Sequence, residues 1–250
     1  MTITIGYPIH NKSHMMDEII NGLAENIKIP VEYIFIFDGC TDNSEEILDQ
    51  MSDKLTGNIT KIHTQNLFQL RTYNLLMREF KTDILIMFQD DMVLKDPNFL
   101  QNIIKINEQH GDSLGIIGCR DGFEKEYTHM LSSKFSGSYF EGCKIINHGE
   151  FYECSIVNVG PIAVTRRLVD TVGYFDEIYD IGAYEEMEYS ILCKYKHNLK
   201  NIILGVDLIH SKFEHKAKKE VKHTAKTELK DQYSINEPIF SQRWAEYWKL

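Results

Sequence analysis

Ile84-Leu85-Ile86-Met87-Phe88-Gln89-Asp90-Asp91 is an apolar run that stops abruptly at two adjacent carboxylates. An unbroken apolar stretch of this length suits a strand buried on both faces of a parallel sheet. The acids then lie at its C-terminal end, where open α/β sheets gather their ligands. Two carboxylates there need a positive partner, and a divalent cation is the simplest one. The stretch therefore predicts an α/β fold and marks the expected site.

Outward from this strand, apolar runs alternate with amphipathic segments. Strands are expected at residues 2–8, 31–37, 58–64, 84–88 and 114–119, with helices at 15–27, 70–80 and 97–109 between them. A further helix follows the second strand, with Asn43 or Ser44 as its N-cap. Such alternation implies βαβ units and a mainly parallel central sheet with helices on both faces. Residues 120–153 are irregular and read as a hairpin or an insertion at the sheet edge. A strand near 157–164, helices at 166–172 and 184–195, a last strand at 202–209 and a terminal helix at 217–231 complete the reading. Phe240, Trp244, Tyr247 and Trp248 recur at helical spacing, so that face should dock on the body or form a homo-oligomer contact. The simplest organisation is one domain over residues 1–215, divided near 119, with 216–250 as a small C-terminal helical extension.

Composition narrows the function classes. The 250 residues are 43% hydrophobic and 26% charged, which is ordinary for a globular domain. A formal net charge of −10 argues against a nucleic-acid partner. No stretch approaches the roughly 20 apolar residues of a membrane span, and no secretory signal is visible. Five cysteines, Cys40, Cys119, Cys143, Cys154 and Cys193, lack CxxC spacing, which favours reduced thiols and a cytoplasmic protein. Seven lysines between 210 and 230 form a basic element on this acidic body. They suit a lid over a diphosphate, a solvated helix, or peripheral attachment to an anionic membrane surface.

Several short motifs carry chemistry. Asp38-Gly39-Cys40-Thr41-Asp42-Asn43-Ser44 follows a buried strand, so the Asp38 carboxylate is placed to accept hydrogen bonds from a base or ribose. The plainer reading is a strand-to-helix turn capped by Asp42 or Ser44. Glu185, Glu186 and Glu188 crowd a helix start, where acids also favour the helix dipole. Like charges packed together raise one pKa, as a general base requires. Of the aromatics Tyr127, Phe135, Tyr139, Phe140, Phe151 and Tyr152, packing roles are favoured over sugar stacking.

The order of motifs resembles the inverting family 2 glycosyltransferases, which have a GT-A (Rossmann-like) fold. Residues 38–44 resemble that family's D-G-S-x-D-x-S, and Pro8-Ile9-His10-Asn11 its P-x-Y-N turn. Asn66 with residues 71–74 resembles N-x-G-x-x-x-A-x-N, and Gln89-Asp90-Asp91 takes the place of its D-x-D metal motif. Gly160-Pro161, Arg166-Arg167 and Val172-Gly173-Tyr174-Phe175-Asp176-Glu177 resemble its acceptor-side segment, and Glu185-Glu186 falls where it carries E-D.

The resemblance implies a nucleotide-binding half at 1–119 and an acceptor-binding half at 120–215. It implies that Pro8, His10, Asp38, Arg71, Gln89 and Asp90 bind a nucleotide-sugar donor, with UDP the commonest carrier. Asp91 and His210 would hold Mn²⁺ or Mg²⁺, with His215 competing for the histidine role. Glu186 would be the general base, Glu185 the alternative, and Asp176 and Glu177 would orient a glycan or other hydroxyl acceptor. Gln89 departs from the motif, since it offers hydrogen bonds but no charge. That departure keeps a non-catalytic carbohydrate-binding protein of the same fold as the rival reading. A nucleotidyltransferase is disfavoured, because residues 8–14 contain no glycine and one lysine.

Overall fold

The structure is a computed structural model that describes residues 1–120, 124–125, 143–144, 147–157, 160–180, 182–210 and 224–245. The expectations for most of the 120–153 aromatics, for His215, Tyr247 and Trp248, and for most of the lysine-rich segment fall outside these residues or their described side chains.

The nucleus is a parallel array. Strand β1 (Ile3–Ile9) lies between β2 (Val31–Asp38) and β4 (Ile84–Met87), and β3 (Gly57–Thr64) flanks β2. β4 is buried at every position, as its unbroken apolar sequence requires. Helices α1 (Ser13–Asn26), α2 (Ser44–Met51) and α3 (Phe68–Glu79) connect these strands. In α1, Met15, Met16, Ile19, Ile20 and Leu23 form one buried stripe at helical spacing. The connections leave β1 toward β2 and later return to its other side at β4, which creates a crevice beyond the C-terminal ends of β1 and β4.

Strand β5 (Met92–Leu94) and helix α4 (Phe99–His110) lead into β6 (Leu114–Arg120). Short strands β7 (Glu124–Lys125) and β8 (Cys143–Lys144) pair antiparallel, and β9 (Phe151–Cys154) forms a sheet edge. The β7–β8 ladder is a two-stranded sheet of its own, and the edge strand of the main sheet is β9. Then come β10 (Ile162–Thr165), α5 (Arg166–Val172), α6 (Glu185–Ile191) with a π-helical turn over Leu192–Lys196, β11 (Lys200–Gly205), β12 (Leu208–His210) and α7 (Thr224–Trp244). The eight-stranded sheet runs β3-β2-β1-β4-β10-β6-β11-β9, with β10 and β9 antiparallel to their neighbours. Helices cover both faces, and each face has its own hydrophobic cluster.

Two strand expectations change. The run at 157–164 becomes a strand only from Ile162, because Gly160 adopts φ 91° and Pro161 has no N–H for a ladder. The run at 202–209 divides into β11, which stays in the main sheet, and β12, which leaves it to pair antiparallel with β5. The exchange occurs at Val206 and Asp207, where the Asp207 carbonyl accepts from Lys95 N–H at 3.0 Å. Helix α7 runs on past the expected end at 231 to Trp244, and its Phe240 and Trp244 are buried in the chain's own core. Docking on the body is therefore what these two aromatics do. The described cysteines Cys40, Cys119, Cys154 and Cys193 are free thiols. Among the described residues, no helix is long and apolar enough to cross a membrane.

Candidate active site

Three turns at the C-terminal ends of β1, β2 and β3 meet the turn after β4. Pro8, Ile9, His10, Asp38, Asn66, Phe68, Gln69, Thr72, Gln89 and Asp90 line the resulting cleft. Asn11, Gly39, Asn66 and Phe68 all have φ between 50° and 65°. Left-handed backbone at residues other than glycine is costly and tends to cluster where a fold builds a site.

Hydrogen bonds fix these turns against one another. Asn11 Oδ1 accepts from Thr41 N–H at 2.8 Å, and His10 Nδ1 lies 2.5 Å from the Asp38 carbonyl. Asp42 accepts from Ser13 N–H and from both groups of Ser44, so it is the residue that serves the helix starts. Asp38 is buried, and its carboxylate accepts from Thr64 Oγ1 at 2.7 Å, Leu67 N–H at 2.6 Å and Phe68 N–H at 2.9 Å. Both its oxygens thus support the strained 64–68 turn at the edge of the cleft. Phe68 stands at the position of the glycine in N-x-G-x-x-x-A-x-N, and its side chain lines the cleft.

The acid turn has two different carboxylates. Asp91 is buried, and its Oδ1 lies 3.3 Å from His210 Nε2. The β5–β12 ladder makes this approach, since His210 pairs with Met92 in register. The two residues expected to act together thus lie side by side. Asp90 Oδ1 lies 3.4 Å from Lys12 Nζ. Burial raises the Asp90 pKa, Lys12 opposes that shift, and Asp91 adds to it. Gln89 donates to Gln69 Oε1 at 2.7 Å, and the Gln69 side chain also hydrogen-bonds Glu185. Gly160 passes over this turn so closely that a Cβ there would lie 2.9 Å from Gln89 Oε1.

Helix α6 supplies the glutamates, and all three are buried. Burial lifts the Glu185 carboxyl to about 7, although N–H groups of Ala183 and Glu185 and the Gln69 side chain hold it down. Its Oε2 has no hydrogen-bond partner. Glu188 faces away from the cleft's residues toward α7, where Trp244 Nε1 donates to it at 3.0 Å and Arg243 Nε lies at 3.3 Å. Burial raises its pKa while Arg243 opposes.

The remaining expected residues fasten the loop at 174–180. Arg71 does not reach the cleft lining, and its guanidinium pairs with Asp180 at 2.5 Å and approaches Glu177 at 3.9 Å. Asp176 accepts from Ile178 N–H at 2.9 Å and pairs with Arg243 at 2.7 Å. Glu177 accepts from Asn74 and Arg78, which hold its carboxyl below the usual range. Asn74 exchanges hydrogen bonds with the Phe175 backbone at 2.9 and 3.0 Å, tying α3 to this loop. Lys12 and Gln69 were not singled out from sequence. A lone lysine after β1 signals nothing until it meets Asp90, and Gln69 becomes visible only once α3 has a fixed register.

Asp91 and His210 offer one oxygen and one nitrogen donor, a set compatible with Mn²⁺. Among the described residues no group of three or more His, Cys, Asp or Glu side chains converges. A cation here would complete its shell with diphosphate oxygens and water.

A family model described as glycosyl transferase family 2 matches residues 4–172. No curated protein matches the chain. Solved structures with a similar fold include S. aureus TarS 1-349 in complex with UDP-GlcNAc (TM-score 0.58, 16% identity, 90% of this chain and 61% of that one). Another is the mannosyltransferase PcManGT from Pyrobaculum calidifontis in complex with GDP-Man and Mn²⁺ (TM-score 0.57, 14% identity, 82% and 55%). A third is glucosyl-3-phosphoglycerate synthase from Mycobacterium tuberculosis with Mn²⁺, UDP and glucosyl-3-phosphoglycerate (TM-score 0.51, 15% identity, 84% and 71%). At these identities the likeness is one of fold. The chain spans less than two thirds of the TarS 1-349 length.

Proposed function

The chain belongs to glycosyl transferase family 2, and from that premise we propose that it transfers a sugar with inversion from a nucleotide-sugar donor, UDP-linked, to an acceptor hydroxyl. The observation that carries the reading is the meeting of three parts at one crevice. They are the cleft between the β1 and β4 turns, the Asp91–His210 pair beside it, and Glu185 joined to it through Gln69.

In this reading the base lies between Pro8, His10 and the Phe68 ring, with Asp38 holding the turn that carries Phe68. Gln89 and Asp90 meet the ribose, and Lys12 keeps Asp90 from repelling the diphosphate. Asp91 and His210 hold the divalent cation, which when bound neutralises charge on the leaving diphosphate. A buried carboxylate takes the proton of the acceptor hydroxyl as that oxygen attacks the anomeric carbon. Glu185 suits this role better than Glu186, because it is the one tied to the cleft and titrating near neutrality. The buried surroundings keep bulk water from the reacting carbon.

Gln89 favours a second reading, in which a nucleotide sugar binds without turnover. One experiment separates the two. Thermal shift against UDP-, GDP- and TDP-sugars with Mn²⁺ identifies the donor, because a ligand selective for the folded state raises its stability. Release of nucleoside diphosphate from that donor then reports turnover. Asp91→Ala should abolish the Mn²⁺-dependent shift, and Glu185→Gln should keep the shift and lower turnover by about 100-fold or more. Wild-type turnover in Glu185→Gln with loss in Glu186→Gln would return the role to Glu186. Wild-type turnover in Asp91→Ala and in both glutamate variants would remove the mechanism.

A further inference from the structure

The turn that delivers Glu185 is held by a helix outside the family-matched residues. Asp180, Gly182, Ala183 and Tyr184 have φ of 47°, 135°, 79° and 78°, and the chain enters α6 directly from them. Three of these are not glycine, so this backbone persists only if its surroundings impose it. What imposes it is one side chain of α7. Asn236 is fully buried, and its amide donates to the carbonyls of Tyr179 at 2.9 Å, Gly182 at 3.0 Å and Ala183 at 3.2 Å. Its Oδ1 accepts from Gln232 Nε2 at 2.9 Å, which fixes which way the amide points. Gly182 then lies so close to Glu185 that a Cβ there would be 3.4 Å from Oε1.

We propose that Asn236 is the positioning residue of the acceptor-side base, clamping the 179–184 turn so that the Glu185 carboxylate enters α6 buried and aimed at the cleft. The proposal rests on Glu185 being that base. The clamp makes α7 part of the site although it touches no reacting atom. Without it the left-handed residues relax, the turn opens, and water reaches the carboxylate. The groups that share this neighbourhood are Tyr73 of α3, Asp90 and Asp91 of the β4–β5 turn, and Glu186 of α6. The hydrogen bonds of Asn236 go to Gln232, Tyr179, Gly182 and Ala183, so its loss acts on Glu185 through the turn.

The test uses the full chain in wild-type, Asn236→Ala and Phe240→Leu forms. Phe240→Leu loosens α7 in the same core, at the ring that packs on Tyr184, while leaving the hydrogen bonds to the three carbonyls in place. Carboxyl-carbon NMR, with Glu185 assigned through Glu185→Gln, follows its titration directly. Its midpoint should stand near 7 in wild type and in Phe240→Leu, and fall toward the ordinary glutamate range in Asn236→Ala. Turnover of UDP-N-acetylglucosamine, or of the donor found by thermal shift, should show kcat lowered by about 10- to 100-fold in Asn236→Ala with KM little changed. The acid limb of its pH profile should move to lower pH. An unmoved midpoint in Asn236→Ala overturns the clamp, as do equal losses in Asn236→Ala and Phe240→Leu. If Asn236→Ala does not fold, Gln232→Ala carries the test by removing the donor to Asn236 Oδ1 together with a 3.5 Å hydrogen bond to the Tyr179 carbonyl, and an unmoved midpoint there overturns the proposal. If no nucleotide sugar turns over but the midpoint moves, the clamp stands and the transferase reading falls.

Discussion

In its proposed role as base, Glu185 joins a stability effect to a catalytic one. Its folded carboxyl titrates at about 7, above the unfolded value of roughly 4.3, because burial disfavours the charge. A raised acid pKa stabilises the fold fully below the unfolded value. That contribution declines as pH rises between about 4.3 and 7 and is lost above, a difference of about 4 kcal/mol. Catalysis runs the other way, since only the ionised form accepts a proton, so turnover should rise through pH 7. Glu185→Gln should therefore be more stable than wild type at pH 8 by about 2 kcal/mol in urea unfolding, while inactive. A variant that is both inactive and less stable at pH 8 contradicts the buried-charge account. Phe68 is the other residue with a separable effect. Phe68→Ala removes a ring from the cleft wall and should weaken nucleotide binding by about 1–3 kcal/mol in calorimetry, the range of base–aromatic stacking. At this scale the pairing of Asp91 with His210 was expected from the sequence, because each follows or ends an apolar strand. Lys12, Gln69 and Asn236 were not, since each matters only through a partner distant in the chain, and Arg71 looked like a donor ligand until α3 turned it toward Asp180.

Among the elements, the short ones decide the geometry. The strands β1, β2 and β4 were readable as apolar runs, because both their faces are buried. The β5–β12 pair was not, although it brings His210 to Asp91. Its strands have three residues each, too few for a period, and β12 follows β11 so closely that the two read as one apolar run. The lead into β10 was misread for a related reason: Val157 continues the apolar pattern while Gly160 and Pro161 break the backbone. Gly160 also tests how tightly these pieces fit. At φ 91° any side chain is strained, and a Cβ would press on Met92 and Gln89. Gly160→Ala should cost about 1–3 kcal/mol of stability and also weaken Mn²⁺-dependent binding, because the acid turn must move to admit the methyl. Loss of stability with unchanged Mn²⁺ dependence would separate that turn from the metal site.

For the whole molecule, the C-terminal helix changes its meaning. From sequence, 216–250 reads as an extension, since nothing in a charged, aromatic-spotted segment tells where its apolar face will land. In the fold, the Phe240 ring lies tilted 5.0 Å from that of Tyr184, and Trp244 lies in the cluster that holds Phe175, Met187 and Tyr189. Asn236 and Arg243 add polar ties to the 176–184 loop, and Glu188 depends on Arg243 and Trp244 for its partners. Truncating a buried Phe or Trp to alanine costs about 3–5 kcal/mol each. Removing both, and stranding a buried carboxylate as well, approaches the 5–15 kcal/mol that holds a typical domain together. A chain ending at residue 223 should therefore lose its cooperative urea transition and its near-ultraviolet circular dichroism. A truncated chain that unfolded with the wild-type midpoint would show α7 to be an appendage. Loss of the whole transition would instead show that the helix serving the base also completes the second hydrophobic cluster, so that site and fold are stabilised by the same contacts.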